Sequence, residues 1–176
     1  MKFLTFKFFI AFWLFLTTSF LYSEQKLEIE NVIIHKIPIK IQEVVFKNIN
    51  NNEFNLSKFN NNLIVLNFWA TWCLPCKKEM PHLDNLQNIE GFANIKVLPI
   101  NVGRDSLDKQ IKFFKELNIK NLEIYYDFSG SLPNKFRLRG LPTTVFINKK
   151  GEEFARIVGS YEFNDNFFFT WLKKYN

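Results

Sequence analysis

The stretch LIVLNFWATWCLPCKKE, residues 63–79, constrains the fold more than any other part of this 176-residue chain. It begins with an unbroken apolar run, which is typical of a strand buried on both faces. A short turn then leads through Cys73-Leu74-Pro75-Cys76 into a charged, helix-forming segment. Pro75 is tolerated because an N–H in the first helical turn has no intrahelical partner to lose. The pattern therefore predicts two cysteines where a buried strand passes into a helix.

Cysteines in this position favour dithiol–disulfide exchange. The helix N-terminus offers unpaired N–H groups and a partial positive charge, which stabilise a thiolate at Cys73. Cys76 follows about one helical turn later, close enough to form a disulfide with Cys73. Because the thiolate is the reactive species, Cys73 is the predicted nucleophile and Cys76 the thiol that resolves its mixed disulfide. The sequence contains only these two cysteines, so a further disulfide or a lipid-anchoring cysteine is not expected.

The formal net charge of +6 does not indicate a nucleic-acid-binding protein. The basic residues stand singly or in pairs such as Lys77-Lys78, whereas nucleic-acid binders usually concentrate them in a patch or stripe. A solvated basic surface is the simpler interpretation. The chain is 47% hydrophobic and 23% charged, as in a globular protein, and its length suits one domain with a short extension.

Residues 1–23 have the form of an export signal. Lys2 and Lys7 precede an apolar run that starts at Phe8, which matches the charged and apolar regions of a signal peptide. Residues 8–23 are uncharged but marginal in length for crossing a bilayer, so an uncleaved membrane anchor is the alternative to cleavage. Both versions predict a domain outside the cytoplasm, either free in the periplasm or anchored to the inner membrane and facing the periplasm.

Residues 24–42 are interpreted as a linker and residues 43–176 as the domain. Hydrophobic periodicity and turn residues predict an N-terminal hairpin at 44–47 and 53–56, and strands at 63–69, 95–101, 122–127, 143–148 and 152–158. Helices are expected at 73–89, 105–117, 131–138 and 163–174. On the second helix, Leu107, Ile111, Phe114 and Leu117 are expected to share the buried face. Strands that alternate with helices and end in a hairpin and a helix indicate an α/β fold with a mixed sheet.

Residues 68–81, FWATWCLPCKKEMP, resemble the active-site signature of the thioredoxin superfamily, and most of all its extracytoplasmic TlpA/ResA-type branch. The resemblance extends from about Val44 to the C-terminus. It implies a thioredoxin-like three-layer sandwich, in which helices flank a mixed central sheet, with an N-terminal β-hairpin. It also implies a thiol:disulfide oxidoreductase that needs no cofactor beyond its own redox-active Cys73–Cys76 disulfide.

The resemblance also implies a site for clients. Pro142, in the segment GLPTT of residues 140–144, matches the family's cis-proline. A cis bond there would expose the Leu141 backbone, so that an extended client segment could pair with it as an added strand. An ordinary trans proline that opens a strand is the alternative. The candidate client-binding residues are Trp72, Leu141, Pro142 and Thr143.

Glu79 is the third candidate catalytic residue, with Cys73 and Cys76. It lies three residues beyond Cys76 and therefore close to it on the helix surface. In ResA-type proteins a glutamate at this position lies near the cysteines and affects their proton transfers, whereas a solvated helix carboxylate is the alternative. Asn67 stands where cytoplasmic thioredoxins carry a buried aspartate. Since a neutral amide cannot deprotonate Cys76, Glu79 or water is left for that task.

The expected function is the reduction of specific protein disulfides outside the cytoplasm. By resemblance, the clients are apocytochrome c or copper-site proteins of respiratory oxidases, and a membrane thiol carrier supplies the electrons. A DsbA-like oxidant is the first alternative, although the chain lacks the large helical insertion of that branch. A non-enzymatic metallochaperone is the second, although no histidine follows His82. Because His35 and His82 do not fit zinc-ligand spacing with the cysteines, no metal is expected.

Overall fold

A computed structural model describes residues 31–92 and 94–175. The predicted export segment and anchor, residues 1–23, and the first part of the predicted linker lie outside the described residues. The described strands are β1 (Val32–Lys40), β2 (Val45–Asn48), β3 (Glu53–Asn55), β4 (Leu63–Trp69), β5 (Ile95–Asn101), β6 (Tyr125–Tyr126), β7 (Thr143–Ile147) and β8 (Glu152–Val158). The helices are α1 (Leu74–Gln87), α2 (Leu107–Glu116), α3 (Leu132–Lys135) and α4 (Asn166–Lys173), with a 3₁₀ turn at Leu56–Phe59.

The strands form one mixed sheet in the order β1-β8-β7-β4-β5-β6-β2-β3. Central β4 runs parallel to β5 and antiparallel to β7, and all of its residues are buried. Alternate side chains of β4 enter two separate apolar clusters, since Val65 packs in one and Leu66 in the other. The sheet is thus covered on both faces, and the predicted three-layer α/β sandwich is confirmed. β2 and β3 form the predicted N-terminal hairpin.

Part of the predicted linker differs from expectation because it contains β1. This strand pairs antiparallel with β8 at the edge of the sheet, and its register shifts between Ile34 and Ile39. Ile33, Ile34, Ile37 and Ile39 are all exposed, so the strand has no buried apolar face. Without the period of two that a half-buried strand shows, the sequence carries no strand signal there. The domain boundary at residue 43 stays a prediction.

Two other elements differ from the sequence pattern. The strand expected at 122–127 is reduced to Tyr125–Tyr126, because the backbone N–H groups of Asn121 and Leu122 donate to the Asp84 carboxylate instead of to a neighbouring strand. The buried face of α2 comprises Gln110, Phe113 and Phe114, whereas Ile111 is exposed. The bounds of α2, Leu107–Glu116, agree with the predicted helix 105–117 to within about two residues. Over the described residues, no helix is both long enough and apolar enough to cross a membrane.

Candidate active site

The two cysteines lie where β4 gives way to α1. After Trp69 the chain turns through Ala70, and the Cys73 N–H donates to the Ala70 carbonyl at 3.2 Å. Cys73 is the N-cap of α1, and its Sγ accepts a hydrogen bond from the Cys76 N–H at 3.2 Å. The two Sγ atoms form a disulfide, 2.04 Å long. The helix that begins here directs its free N–H groups at the sulfur pair, as the sequence predicts.

The disulfide is reachable from one side only. Cys73 is 5% exposed and Cys76 is fully buried. Trp72 and Leu74, on either side of Cys73, are 69% and 65% exposed. A reacting sulfur can therefore approach Cys73 but not Cys76, and it does so between two apolar side chains.

Glu79 is a buried carboxyl group rather than the solvated helix residue that the alternative interpretation predicts. Its side chain is 2% exposed. Oε1 accepts a hydrogen bond from Asn67 Nδ2 at 2.8 Å, and Oε2 accepts one from the Tyr161 N–H at 3.3 Å. Burial raises the pKa of Glu79 to about 8, and the two hydrogen bonds only partly oppose that rise. Glu79 therefore holds a proton through most of the neutral range.

The predicted cis-proline is confirmed, since the Leu141–Pro142 peptide bond is cis. Pro142 is buried, and its carbonyl accepts from the Gly159 N–H at 2.9 Å. Thr143 is also buried, and its hydroxyl donates to the Gly140 carbonyl at 2.8 Å. Leu141 is half-buried. Of the residues in this segment proposed to bind clients, Leu141 alone therefore presents side-chain surface.

Asp105, in the loop between β5 and α2, holds the turn that precedes Cys73. Its carboxylate accepts hydrogen bonds from the Thr71 N–H at 2.9 Å and from the Thr71 hydroxyl at 2.7 Å. Asn101 Nδ2 donates a third bond at 2.9 Å. Partial burial pushes the pKa of Asp105 upward, but these hydrogen bonds and the charge of Lys109 together outweigh burial and leave the pKa below its ordinary value. Asp105 is therefore ionised throughout the neutral range.

Gly103 brings the Asp105 loop against the same turn. A Cβ atom at this position would lie 2.5 Å from Ala70 Cβ and 2.7 Å from Asp105 Oδ2. It would also lie 3.1 Å from Trp72 Nε1. These approaches are too close for any side chain, so the loop that carries Asp105 and the turn that carries Trp72 fit together only through glycine.

The Redoxin family model matches residues 39–165 of the chain. The chain belongs to the Redoxin family. It is 32% identical over 118 residues to the thiol-disulfide oxidoreductase ResA of Geobacillus kaustophilus, an alignment that covers 67% of each protein. The exposed lipoprotein thioredoxin Etrx1 of Streptococcus pneumoniae is similar in structure, with a TM-score of 0.64, 26% identity, and coverage of 76% of this chain and 99% of that one. Bacillus subtilis StoA shares the fold with a TM-score of 0.60 at 23% identity, over 78% of this chain and 98% of StoA.

This redoxin is a thiol:disulfide oxidoreductase of the TlpA/ResA-like group. The geometry accounts for such an activity, because a slightly exposed sulfur, a fully buried sulfur and a buried acid follow one another over the first two turns of α1. His35 takes no part in the site, since its Nε2 lies 2.8 Å from Glu153 Oε1 on the edge of the sheet. Within the described chain, no group of three or more His, Cys, Asp or Glu side chains is placed to hold a metal ion.

Three residues of the redoxin site were not singled out from the sequence. Asp105 stands at the start of a predicted helix, and nothing in the local sequence indicates that its carboxylate binds Thr71. Thr144, whose hydroxyl accepts a hydrogen bond from Asn67 Nδ2 at 2.9 Å, lies inside a predicted strand. Gly103 carried no signal of its own, since the close approach that requires it involves a turn more than thirty residues away. Each acts through a contact between distant segments, which local patterns do not report.

Proposed function

We propose that this redoxin reduces specific disulfides of proteins outside the cytoplasm. The observation that carries the proposal is the asymmetry of the disulfide, with Cys73 5% exposed and Cys76 fully buried on the helix that carries the buried acid Glu79. This asymmetry supports separate roles for the three groups. Cys73 exchanges with the client, Cys76 resolves the mixed disulfide, and Glu79 holds the proton that Cys76 gives up and takes back.

The first step of client reduction is an attack by the Cys73 thiolate. It attacks one sulfur of the client disulfide, so that a mixed disulfide forms and the client S–S bond breaks. The second client sulfur leaves as a thiolate and takes a proton from water. The partial positive charge at the start of α1 favours the attacking thiolate, because Cys73 is the N-cap residue of that helix.

The second step releases the client. In the molecules whose Glu79 is ionised, about one in ten at pH 7, the Cys76 thiol passes its proton to the Glu79 carboxylate, and the Cys76 thiolate attacks Cys73 Sγ. The Cys73–Cys76 bond forms, the mixed disulfide breaks, and the remaining client sulfur leaves as a thiolate. Two electrons have then passed from the dithiol to the client. When an external thiolate later attacks Cys73, Cys76 leaves and recovers the proton stored on Glu79.

Clients bind, in this proposal, as extended segments across Trp72 and the cis-proline segment. The large exposed surface of Trp72 supports an apolar contact, and half-buried Leu141, at the cis bond just before β7, is the residue whose backbone would pair with a client segment. The clients that the ResA-type resemblance suggests are apocytochrome c and copper-site proteins of respiratory oxidases. A membrane thiol carrier would supply the electrons.

An extracytoplasmic location is part of the same proposal. The export-like sequence of residues 1–23 supports it, as does the similarity to an exposed lipoprotein thioredoxin. Residues 8–23 would either be removed or anchor the domain to the inner membrane so that it faces the periplasm. Fractionation of cells that produce the full chain, with a protease added from the periplasmic side, distinguishes the two forms by size and by the fraction that retains the protein.

The direction of electron flow is tested by trapping and by the redox potential. Cys76→Ser should accumulate mixed disulfides with extracytoplasmic proteins, whereas Cys73→Ser should accumulate none. A Cys73–Cys76 potential of about −270 mV supports a reductant. A potential of about −120 mV contradicts the proposal and indicates a disulfide-forming oxidant of the DsbA type. Stoichiometric copper uptake by the reduced protein would instead support a metallochaperone.

A further inference from the structure

The Asn67 side chain lies between Glu79 and the strand that follows the cis-proline. Asn67 is on β4 and is fully buried. Its Nδ2 donates one hydrogen bond to Glu79 Oε1 at 2.8 Å and another to Thr144 Oγ1 at 2.9 Å. Thr144 lies on β7 and is also fully buried. The amide thus connects the acid behind the cysteines with the strand that begins beside the client segment.

The oxygen of the same amide is unused. Among the residues that the structure describes, no donor lies within hydrogen-bonding distance of Asn67 Oδ1. A buried acceptor without a partner is unfavourable, and the great majority of buried polar atoms are paired. In the orientation shown, Asn67 therefore satisfies both of its N–H groups and leaves its acceptor empty.

Both partners of Asn67 can also act as donors. A protonated carboxyl group carries an O–H that donates, and a threonine hydroxyl both donates and accepts. A half-turn of the amide exchanges the positions of its oxygen and nitrogen with almost no change in volume. Oδ1 would then accept from the Glu79 O–H and from the Thr144 hydroxyl. The orientation shown suits the Glu79 carboxylate, and the turned orientation suits the Glu79 acid, at the cost of moving the two N–H groups to the position where the oxygen has no partner.

We propose that Asn67 is a positioning residue whose amide turns with the protonation of Glu79, its N–H groups holding the carboxylate and its oxygen holding the acid. The inference rests on the proposed role of Glu79 as the proton store for Cys76. It gives Asn67 a task that the aspartate of cytoplasmic thioredoxins does not have. The amide carries no proton itself, but it keeps both forms of Glu79 in the same place.

Among the groups around the Asn67 amide, Glu79 is the one whose protonation would change the orientation of the amide. On α1 the titratable residues three positions from Glu79 are Cys76, which is tied in the disulfide, and the partly buried His82. From the segment after β8, Tyr161 offers Glu79 its backbone N–H, while its phenol donates to Asp165 at 2.7 Å. In the described part of the chain, no lysine, arginine or histidine forms an ion pair with Glu79. The remaining groups are neutral: Asn67 on β4 bonds to Glu79, and Thr144 on β7 bonds to Asn67.

The test is an NMR titration of the full chain in detergent micelles with the disulfide intact. The Asn67 side-chain amide signals and the Glu79 carboxyl signal are followed from about pH 5 to about pH 10. The proposal expects both to move with one midpoint near 8, the value to which burial raises the pKa of Glu79. A fixed Asn67 amide beside a titrating Glu79 overturns the proposal. A Glu79 carboxyl that does not titrate in this range overturns it as well.

Gln110 provides a matched control within the same protein. It is also a buried amide whose oxygen has no partner among the described atoms, but its Nε2 donates to the Asp105 carbonyl at 3.0 Å. The Gln110 amide should not move with the midpoint of Glu79. Asn67→Leu removes both the donor to the carboxylate and the acceptor for the acid, so the Glu79 midpoint should rise only by the difference between the two lost hydrogen bonds, about half a pH unit. Gln110→Leu should leave that midpoint unchanged, and a rise of about two pH units in Asn67→Leu would show that the amide only donates and would count against the proposal.

These measurements separate this inference from the proposed function. The amide titration reports only the coupling between Asn67 and Glu79 in the oxidised protein. The role of Glu79 in exchange is measured by the kinetics of Glu79→Gln. An amide that follows Glu79 in a protein whose exchange does not depend on Glu79 would keep the inference and refute the proposed role of the acid.

Discussion

Two carboxyl groups, Glu79 and Asp105, lie next to the segment that carries the disulfide, and their pKa values move in opposite directions. Glu79 is buried on α1 with two N–H donors, and burial dominates, so that its pKa rises to about 8. Asp105 is half-buried in the loop before α2 with three donors, and the hydrogen bonds dominate, so that its pKa falls. The balance of desolvation against hydrogen bonding, rather than the type of residue, decides the direction.

The opposite pKa shifts suit the two carboxyl groups to different tasks. A carboxyl group that titrates near neutrality can store and release a proton within a catalytic cycle. A carboxylate that stays ionised cannot do so, but it can hold backbone and hydroxyl groups in fixed positions. Glu79 is accordingly placed on the helix of the cysteines, and Asp105 is placed against Thr71, two residues before Cys73. The following predictions test whether the two groups differ in these ways.

The largest expected effect is on stability at high pH. Glu79 keeps its proton in the folded state up to about pH 8, whereas in the unfolded state its pKa is near the ordinary value of 4.5. The folded state therefore binds more protons between these values, and its stabilisation is lost as the pH rises. We expect the free energy of unfolding to fall by about 3–5 kcal/mol across this window. Urea unfolding of the disulfide form at several pH values measures it.

Glu79→Gln is the control for that slope, because glutamine keeps the shape and has no charge to bury. The variant should be nearly as stable as the parent at about pH 5 and clearly more stable at about pH 9. A parent whose stability does not fall between these values, or a variant that keeps the full slope, would show that Glu79 is not the buried acid described here.

Asp105→Ala should be the next largest change. The substitution leaves the Thr71 N–H and hydroxyl and the Asn101 amide without their acceptor, which should cost about 2–3 kcal/mol at neutral pH. Because the pKa of Asp105 is lowered in the folded state, its contribution is present above the unfolded pKa and is lost as the pH falls through the folded value. Asp108→Ala, at an exposed position in the first turn of α2, is the control and should cost less than about 1 kcal/mol. If urea unfolding showed the same loss of stability for Asp105→Ala and Asp108→Ala, the hydrogen bonds to Asp105 would have no special role.

Gly103→Ala tests the fit between the Asp105 loop and the turn. A Cβ at this position would approach Ala70 Cβ to 2.5 Å, so the loop must shift and the variant should lose about 1–2 kcal/mol. Gly140→Ala is the matched control, since nothing lies within 4 Å of its added Cβ. Its stability should change by less than about 0.5 kcal/mol. Thermal unfolding of both variants decides the matter, and a Gly103→Ala variant as stable as Gly140→Ala would contradict the described packing.

The smallest effect is expected for an exposed carboxylate. Lys77 directly follows Cys76 in the sequence, and its Nζ lies 3.6 Å from Glu116 Oε2. Both side chains are about half exposed. Such surface pairs contribute little, so Glu116→Gln should change the free energy of unfolding by less than about 0.5 kcal/mol and should leave the exchange rate unaltered. A loss as large as that of Asp105→Ala would mean that hydrogen bonding is not what separates the two carboxylates.

Local sequence patterns predict the centre of this fold well. β4 and β5 lie where the apolar runs place them, because strands covered on both faces have an unmistakable composition, and β8 lies where the predicted terminal hairpin places it. β1 carries no such signature, because it is an exposed edge strand with a register shift. On α2 the predicted burial is right for Phe114 and wrong for Ile111, because the buried face includes the polar residue Gln110, whose amide bonds to the Asp105 backbone.

The candidate site divides in the same way. Cys73 and Cys76 belong to one contiguous motif, and the cis-proline at Pro142 follows from the resemblance of residues 140–144 to the family, so their positions are predicted from the sequence. The burial of Glu79 could not be predicted, because it depends on β4, β7 and the segment after β8 closing over α1. Asp105 and Thr144 act through partners more than thirty residues distant. Their contribution comes from the tertiary structure rather than from a local motif.

The most direct test of the account is a stopped-flow reaction of the reduced protein with the aromatic disulfide 5,5′-dithiobis(2-nitrobenzoate). The coloured thiol is released first by Cys73 and then by Cys76, so the two phases report attack and resolution separately. At about pH 7, Glu79→Gln should slow the second phase about 100-fold and leave the first nearly unchanged, whereas Asp105→Asn should retain the parent's rapid second phase. The deficit of Glu79→Gln should shrink as the pH rises, because a higher pH favours the thiolate without the help of a carboxylate. A Glu79→Gln variant whose second phase has the rate and pH dependence of the parent would contradict the central claim.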